Sequence, residues 1–251
     1  MKKSARVALI IIFAVGLIIS GYQLQKDFRE TAKEALVKNA LLVYRPPQDS
    51  GEEEIRQSFL TVREEINDDI IGWLSIFDTR IDYPLVKGTD NDYYLSHDIY
   101  RNKSASGSLF VDYRCPDGFA GTNTIIYGHN MRNGNMLYDL RKFTNADFFN
   151  RNLSFTIIDD DGIHVMDIFA FMVIPDDEII YNPLAEPETI IAWAKENAVN
   201  YRDPAGEAAR LVTISTCAYD YEDARMVLLA IPQAALTNTS LTSQYYAPQN
   251  P

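Results

Sequence analysis

The stretch RLVTISTCAYDYEDARMVLLAIP, Arg210 to Pro232, decides the fold. Leu211, Val212, Thr213 and Ile214 form a run rich in β-branched residues, and Met226 to Ile231 form another, so the segment reads as two buried strands. Cys217 then falls where the first strand ends, and Arg225, eight residues on, where its partner begins.

Working outward, runs of the same kind recur from Ile70 onward. IGWLSI, IDYPLV, GSLFVDY, NTIIYGH, LSFTIID and HVMDIFAFMVI join RLVTIST and RMVLLAI to make eight candidate strands, and DDDG, Asp159 to Gly162, is a hairpin-turn signal. That number and spacing predict a mainly β fold, a closed or nearly closed β-barrel. Two helical insertions interrupt it, one from Met136 to about Phe149 and one from Glu186 to Tyr201, where Pro187 suits a first helical turn. Before the barrel, Ser50 and Glu53 have capping-box spacing, and Ile55, Phe59, Val62 and Ile66 recur at helical spacing, which predicts a helix over about 51–67. The charged, helix-prone Gln23–Leu42 segment ends at Pro46-Pro47 and reads as a stalk.

Lys2, Lys3 and Arg6 precede an uncharged, apolar stretch from Val7 to Ile19 that continues through Ser20, Gly21 and Tyr22, 16 residues, before Lys26 and Asp27. A spanning helix takes about 20 residues and a signal-peptide core about 7 to 15. With no A-x-A-like site after Ile19, the expectation is an uncleaved single-pass anchor in the cell membrane, with the rest of the chain extracellular; a cleaved signal is the alternative. The expected organisation is a membrane anchor over 1–25, a helical stalk or linker over 26–50, one main domain over 51–236 and a polar tail over 237–251.

The chain has 251 residues, of which 47% are hydrophobic, enough for one sizeable core. With 23 Lys and Arg against 35 Asp and Glu the net charge is −12, which disfavours nucleic acid as a partner. The three histidines are far apart and neither cysteine has C-x-x-C spacing, so no metal site is expected; no glycine-rich phosphate motif occurs, and no cofactor is expected. Cys115 and Cys217 either pair as one disulfide or stand as two thiols, one of them reactive.

A cysteine nucleophile requires a thiolate, a proton-transfer partner and a group that stabilises the oxyanion formed on the attacked carbonyl. His164 sits within a strand and His97 in a polar loop, but His129 follows the strand NTIIY and a glycine, so like Cys217 it falls where a strand runs into a loop. Arg225 would flank the thiol from the adjacent strand with a permanently charged fork of donors. An ion pair of Arg225 with Asp220, Glu222 or Asp223 is the competing reading.

These residues resemble a known family. TISTC, Thr213 to Cys217, with Arg225 eight residues after the cysteine, looks like the T-L-x-T-C…R signature of sortases, with Ile214 where leucine is usual. IIYGHNMRNGNML is similar to the histidine segment of class B sortases, and IGWLSIFDTRIDYPLVKGTDNDYYLSHD resembles the start of a class B barrel. The resemblance runs from about Glu53 to Pro232. It implies a sortase-like closed eight-stranded β-barrel with N-terminal helices and a long helix between the sixth and seventh strands.

The resemblance further implies a membrane-anchored cysteine transpeptidase that cuts a C-terminal sorting motif of a secreted protein and passes it, through a thioester, to a peptidoglycan precursor amine. By that similarity Cys217 is the nucleophile, His129 the general acid and base, and Arg225 the stabiliser of substrate and oxyanion. Asn91, Leu95 and Tyr181 match segments of the substrate groove, Ser215 and Thr216 either shape that groove or pack as ordinary strand hydroxyls, and Cys115 is an incidental thiol. Alternatives are a pilin-polymerising sortase or a plain cysteine hydrolase with the same trio, and a membrane-tethered extracellular β-barrel that only binds.

Overall fold

The β-branched and aromatic runs fold as strands in a computed structural model that describes residues 3–46, 51–116, 119–175, 179–206, 208–217 and 223–233. The expected tail 237–251 and the Ser50 capping position lie outside the described residues. The chain divides into two units, Met1–Val43 and Tyr44–Pro251.

In the first unit, α1 (Lys3–Leu41) is one continuous helix through both the apolar stretch and the charged stalk. This corrects the expected single-pass anchor and the localisation drawn from it: among the described residues, no helix is long and apolar enough to cross a membrane. The apolar stretch, Val7 to Tyr22, has 16 residues, short of the roughly 20 a span takes, and the same helix continues with Lys26, Asp27, Arg29 and Glu30.

The second unit begins with α2 (Glu52–Glu65), whose N-cap is Gly51 and not a side-chain acceptor. Ile55, Phe59 and Val62 are its buried stripe. The strands are β1 (Ile70–Ser75), β2 (Asp82–Val86), β3 (Leu109–Val111), β4 (Asn123–Tyr127), β5 (Ser154–Asp159), β6 (Gly162–Ile174), β7 (Asn200–Tyr201), β8 (Leu211–Cys217) and β9 (Arg225–Pro232). Around the barrel the order is β5-β1-β2-β3-β4-β8-β9-β6, and β5 pairing with β6 closes it; β7 only extends the far edge of β6. Closure depends on the length of β6. Its first residues form the expected hairpin with β5, Asp159 opposite Gly162, and its residues from Met166 to Ile174 pair with β9, with a bulge between Ile168 and Ala170.

The pairs β2–β3 and β4–β8 are parallel, so the barrel is mixed. Parallel neighbours need long crossovers: residues 87–108 link β2 to β3, and the connection from β4 to β8 carries both insertions. The segment expected as one helix from Met136 is a 3-10 helix (Tyr138–Thr144) followed by the short α3 (Ala146–Arg151). Asn145 divides them, because its side chain accepts from the Phe148 N–H and caps the second piece. Between β6 and the next barrel strand, β8, lies α4 (Pro187–Asn197), with Pro187 in its first turn as expected.

Leu74, Leu85, Ile126, Phe171, Ile214 and Leu228 belong to the main core. A second cluster packs α4, through Ile190 and Ala194, against Phe169, Met172 and Leu229 of the sheet.

Candidate active site

Strand register brings the three candidate residues to one end of three adjacent strands. Cys217, the last residue of β8, lies opposite Arg225, the first of β9. On the other flank β8 runs parallel to β4 with Ser215 beside Tyr127, and the ladder continues one step as the Gly128 N–H donates to the Ser215 carbonyl at 3.3 Å. His129 is thus two residues beyond Tyr127, as Cys217 is two beyond Ser215. Half-buried Arg225 donates through Nη1 to the Ala224 carbonyl at 3.2 Å. Asp220 and Glu222 lie outside the described residues.

Gly128 is required where it stands. A Cβ there would lie 2.2 Å from Leu109 Cδ2 in the core, so no larger residue fits between Tyr127 and His129 without displacing packed atoms. The His129 ring is fixed from across the site: Nε2 and the Leu95 carbonyl are 2.8 Å apart. A carbonyl only accepts, so Nε2 carries the proton, and in the neutral ring Nδ1 is the nitrogen that can take another.

The loop after His129 is closed on itself, with the Leu137 N–H donating to the His129 carbonyl at 3.0 Å and the Met136 N–H to the Tyr83 hydroxyl at 3.1 Å. Arg80, in the β1–β2 turn, lies against it from outside. Gly134 has φ +90°, and a Cβ there would fall 2.0 Å from Arg80 Nη1, so the guanidinium and the loop backbone are in close approach. Arg80 is in turn fixed by buried Asp139 through its N–H, Nε and Nη2 at 2.9, 3.2 and 2.9 Å, and Lys142 approaches the same carboxylate at 3.3 Å. Burial alone would push the Asp139 carboxyl up, but the Arg80 hydrogen bonds, with Lys142, outweigh it and hold its pKa at about 2.

A carboxyl held below its unfolded value stabilises the fold above that value and loses the contribution as the pH falls through the native one. The stability difference between the wild type and Asp139→Asn is therefore expected to be full above about pH 4 and to shrink by about 1–2 kcal/mol on going to pH 2.5, after allowing for the exposure of Arg80. Urea denaturation of both proteins across that range reads it, and a difference independent of pH would refute the assignment.

The groove candidates are partly gathered at this end. Leu95 supplies its carbonyl to His129 while its side chain is exposed, and Asn91 Oδ1 accepts from the Tyr113 N–H at 3.1 Å. The Tyr181 hydroxyl lies 2.8 Å from Ser215 Oγ. Ser215 and Thr216 are both buried, and the Thr216 hydroxyl has no partner among the described residues. The other two histidines are engaged elsewhere, His164 Nε2 with Asp159 Oδ1 at 2.7 Å and His97 stacked on Tyr93.

No protein-family model matches the chain. Sortase B of Listeria monocytogenes is 37% identical to it over 172 residues, 66% of this chain and 70% of that protein. The chain belongs to the class B sortases. A crystal structure of Clostridium perfringens sortase B superposes with a TM-score of 0.72 at 28% identity, covering 78% of this chain and 96% of that one. A Streptococcus pyogenes class B sortase involved in pilus biogenesis gives a TM-score of 0.63 at 30% identity, covering 68% and 95%. The protein is accordingly a cysteine transpeptidase, and the reading as a module that only binds falls away.

In this sortase Cys115 is a buried free thiol: its Sγ is 3.6 Å from the Asn123 carbonyl and accepts from the Ile125 N–H at 3.5 Å, and burial pushes its pKa up. Asn123 and Ile125 pair with Leu211 and Thr213, four or more residues back along β8 from Cys217. At about 3.3 Å per residue that is roughly 13 Å or more, beyond the ~7 Å Cα separation a disulfide tolerates. Asp112 and Arg114, which no motif singled out, stand beside the groove candidates and beside Tyr127 of the histidine segment.

Proposed function

We propose that this sortase joins a secreted protein, cut at a C-terminal sorting motif, to a peptidoglycan precursor amine, with Cys217 as nucleophile. The Cys217 thiolate attacks the carbonyl carbon of a threonine before the scissile bond, and Arg225 donates hydrogen bonds to the oxyanion that forms. His129, protonated on Nδ1, gives that proton to the departing amine, the C–N bond breaks and a thioester remains. The acceptor amine then attacks the thioester, His129 takes the proton it sheds, the C–S bond breaks, and an amide is formed with the thiolate restored. Asn91, Leu95, Tyr181, Ser215 and Thr216 line the acyl-donor side.

The observation that carries this reading is the shared strand end: Cys217 opposite Arg225, with His129 two residues past the partner of Ser215. The test is intact-mass analysis of the protein mixed with threonine-containing sorting-type peptides, with and without an amine. A mass increase on Cys217 that discharges into an amine-ligated peptide is expected; hydrolysis alone, indifferent to added amine, would make the protein a hydrolase. The similarity to a class B sortase involved in pilus biogenesis favours one second reading, polymerisation onto a lysine of another pilin. Competition between a peptidoglycan-type amine and a lysine-bearing pilin peptide as acceptors separates the two.

A further inference from the structure

Asp112, immediately after β3, has a fully buried carboxylate with both oxygens engaged. Oδ1 accepts from the backbone N–H and Nε of Arg114, both at 2.9 Å, and Oδ2 from Arg114 Nη2 at 2.6 Å and the Tyr127 hydroxyl at 3.1 Å. Asn91 joins the same segment through Tyr113, the residue between Asp112 and Arg114, whose N–H donates to Asn91 Oδ1 at 3.1 Å. Arg114 Nη2 reaches onward to the Tyr181 carbonyl at 3.0 Å. The Tyr181 ring stacks on that of Tyr127, with centroids 6.2 Å apart and planes at 18°, and its hydroxyl meets Ser215.

Taking a carboxylate out of water is costly, and apolar packing of similar volume often stabilises a fold as well as a buried ion pair does. Stability alone therefore does not account for this pair, whereas its outward bonds have a shared destination. One goes to Tyr127, two residues before His129; another goes to Tyr181, which contacts Ser215, two residues before Cys217. Asn91 is tied to the backbone between Asp112 and Arg114, accepting from the Tyr113 N–H.

We infer that Asp112 and Arg114 are positioning residues for the acyl-donor peptide: their ion pair locks Tyr127, Tyr181 and Asn91 into one preorganised groove wall beside the ends of β4 and β8. The inference rests on the transpeptidase reading. The pair touches no reacting atom, so its loss loosens peptide binding without changing the nucleophile.

The test uses the full chain, Arg114→Gln, Tyr127→Phe and their double variant, with a threonine-containing peptide that acylates the wild type. Arg114→Gln is expected to raise KM about tenfold while kcat changes less than about threefold. The rate at which iodoacetamide alkylates Cys217, followed by mass, is expected to stay at the wild-type value. Tyr127→Phe should shift KM in the same direction by less, and the double variant should be no worse than Arg114→Gln alone, because both changes break one network. If Arg114→Gln does not fold, Tyr127→Phe, which loses only the hydroxyl bonded to Asp112 Oδ2, carries the same KM test. An unchanged KM in folded variants, a fall in kcat alone, or additive effects would overturn the inference. A wild type that no peptide acylates would instead overturn the transpeptidase reading beneath it.

Discussion

Cys217→Ala is expected to reduce peptide turnover by about 10⁴-fold or more and to remove the acyl adduct, while leaving the fold and its thermal midpoint close to wild type. The mild structural effect follows from the position, since the residue ends β8 and its pairing with Arg225 is a backbone ladder that alanine retains. The large functional effect follows from the lack of a substitute. Cys115 is 3% exposed, held between the Asn123 carbonyl and the Ile125 N–H, and its pKa is raised by burial, so it is neither accessible nor thiolate-like. Intact mass with a peptide donor, circular dichroism and steady-state kinetics on the same preparation check all three. A folded variant with a tenth of wild-type activity would place the nucleophile elsewhere.

The strands were legible in the sequence because burial on a barrel wall selects β-branched and aromatic runs, and all eight expected runs became barrel strands. The failures came where pattern and context part. The segment from Met136 carries apolar residues suited to one helix, but a single capping side chain at Asn145 splits it. Two-residue β7 has no period to detect and exists only because β6 offers an edge. The apolar N-terminal stretch invited an anchor, though its length lay between two classes of segment, and length is the physical criterion for a span.

The placement of the candidate trio was legible for a different reason: Cys217 ends β8, Arg225 begins β9 and His129 follows the end of β4 by two residues, and strand ends next to turn residues can be read locally. Its support was not. Leu95 reaches His129 through a backbone carbonyl, which no side-chain identity encodes. Asp112, Arg114, Tyr127 and Tyr181 meet only because β3, β4 and β8 are neighbours in the closed barrel, and Arg114 and Tyr181 are 67 residues apart in the chain. Arg80 packs against the histidine loop from the β1–β2 turn, a contact visible from sequence only after the register is known.

The proton transfer proposed for His129 can be separated from its contact with the Leu95 carbonyl. Glutamine retains an N–H that can reach the Leu95 carbonyl but cannot shuttle a proton, so His129→Gln is expected to keep the fold and lose kcat/KM for an amide donor by about 10³-fold. The departing amine is strongly basic and leaves poorly without a proton. A p-nitrophenyl ester of the same acyl group departs as a stable anion and needs no acid, so with that donor the loss should be no more than about tenfold, the residue of weakened thiol activation. Stopped-flow acylation with both donors measures the two ratios. Equal losses would mean that the imidazole acts through thiol activation or site geometry in the rate-limiting step, and the assignment of leaving-group protonation to His129 would fail. A selective loss on the amide would assign that proton to the ring whose Nε2–H is fixed by Leu95, leaving Nδ1 as the nitrogen that delivers it.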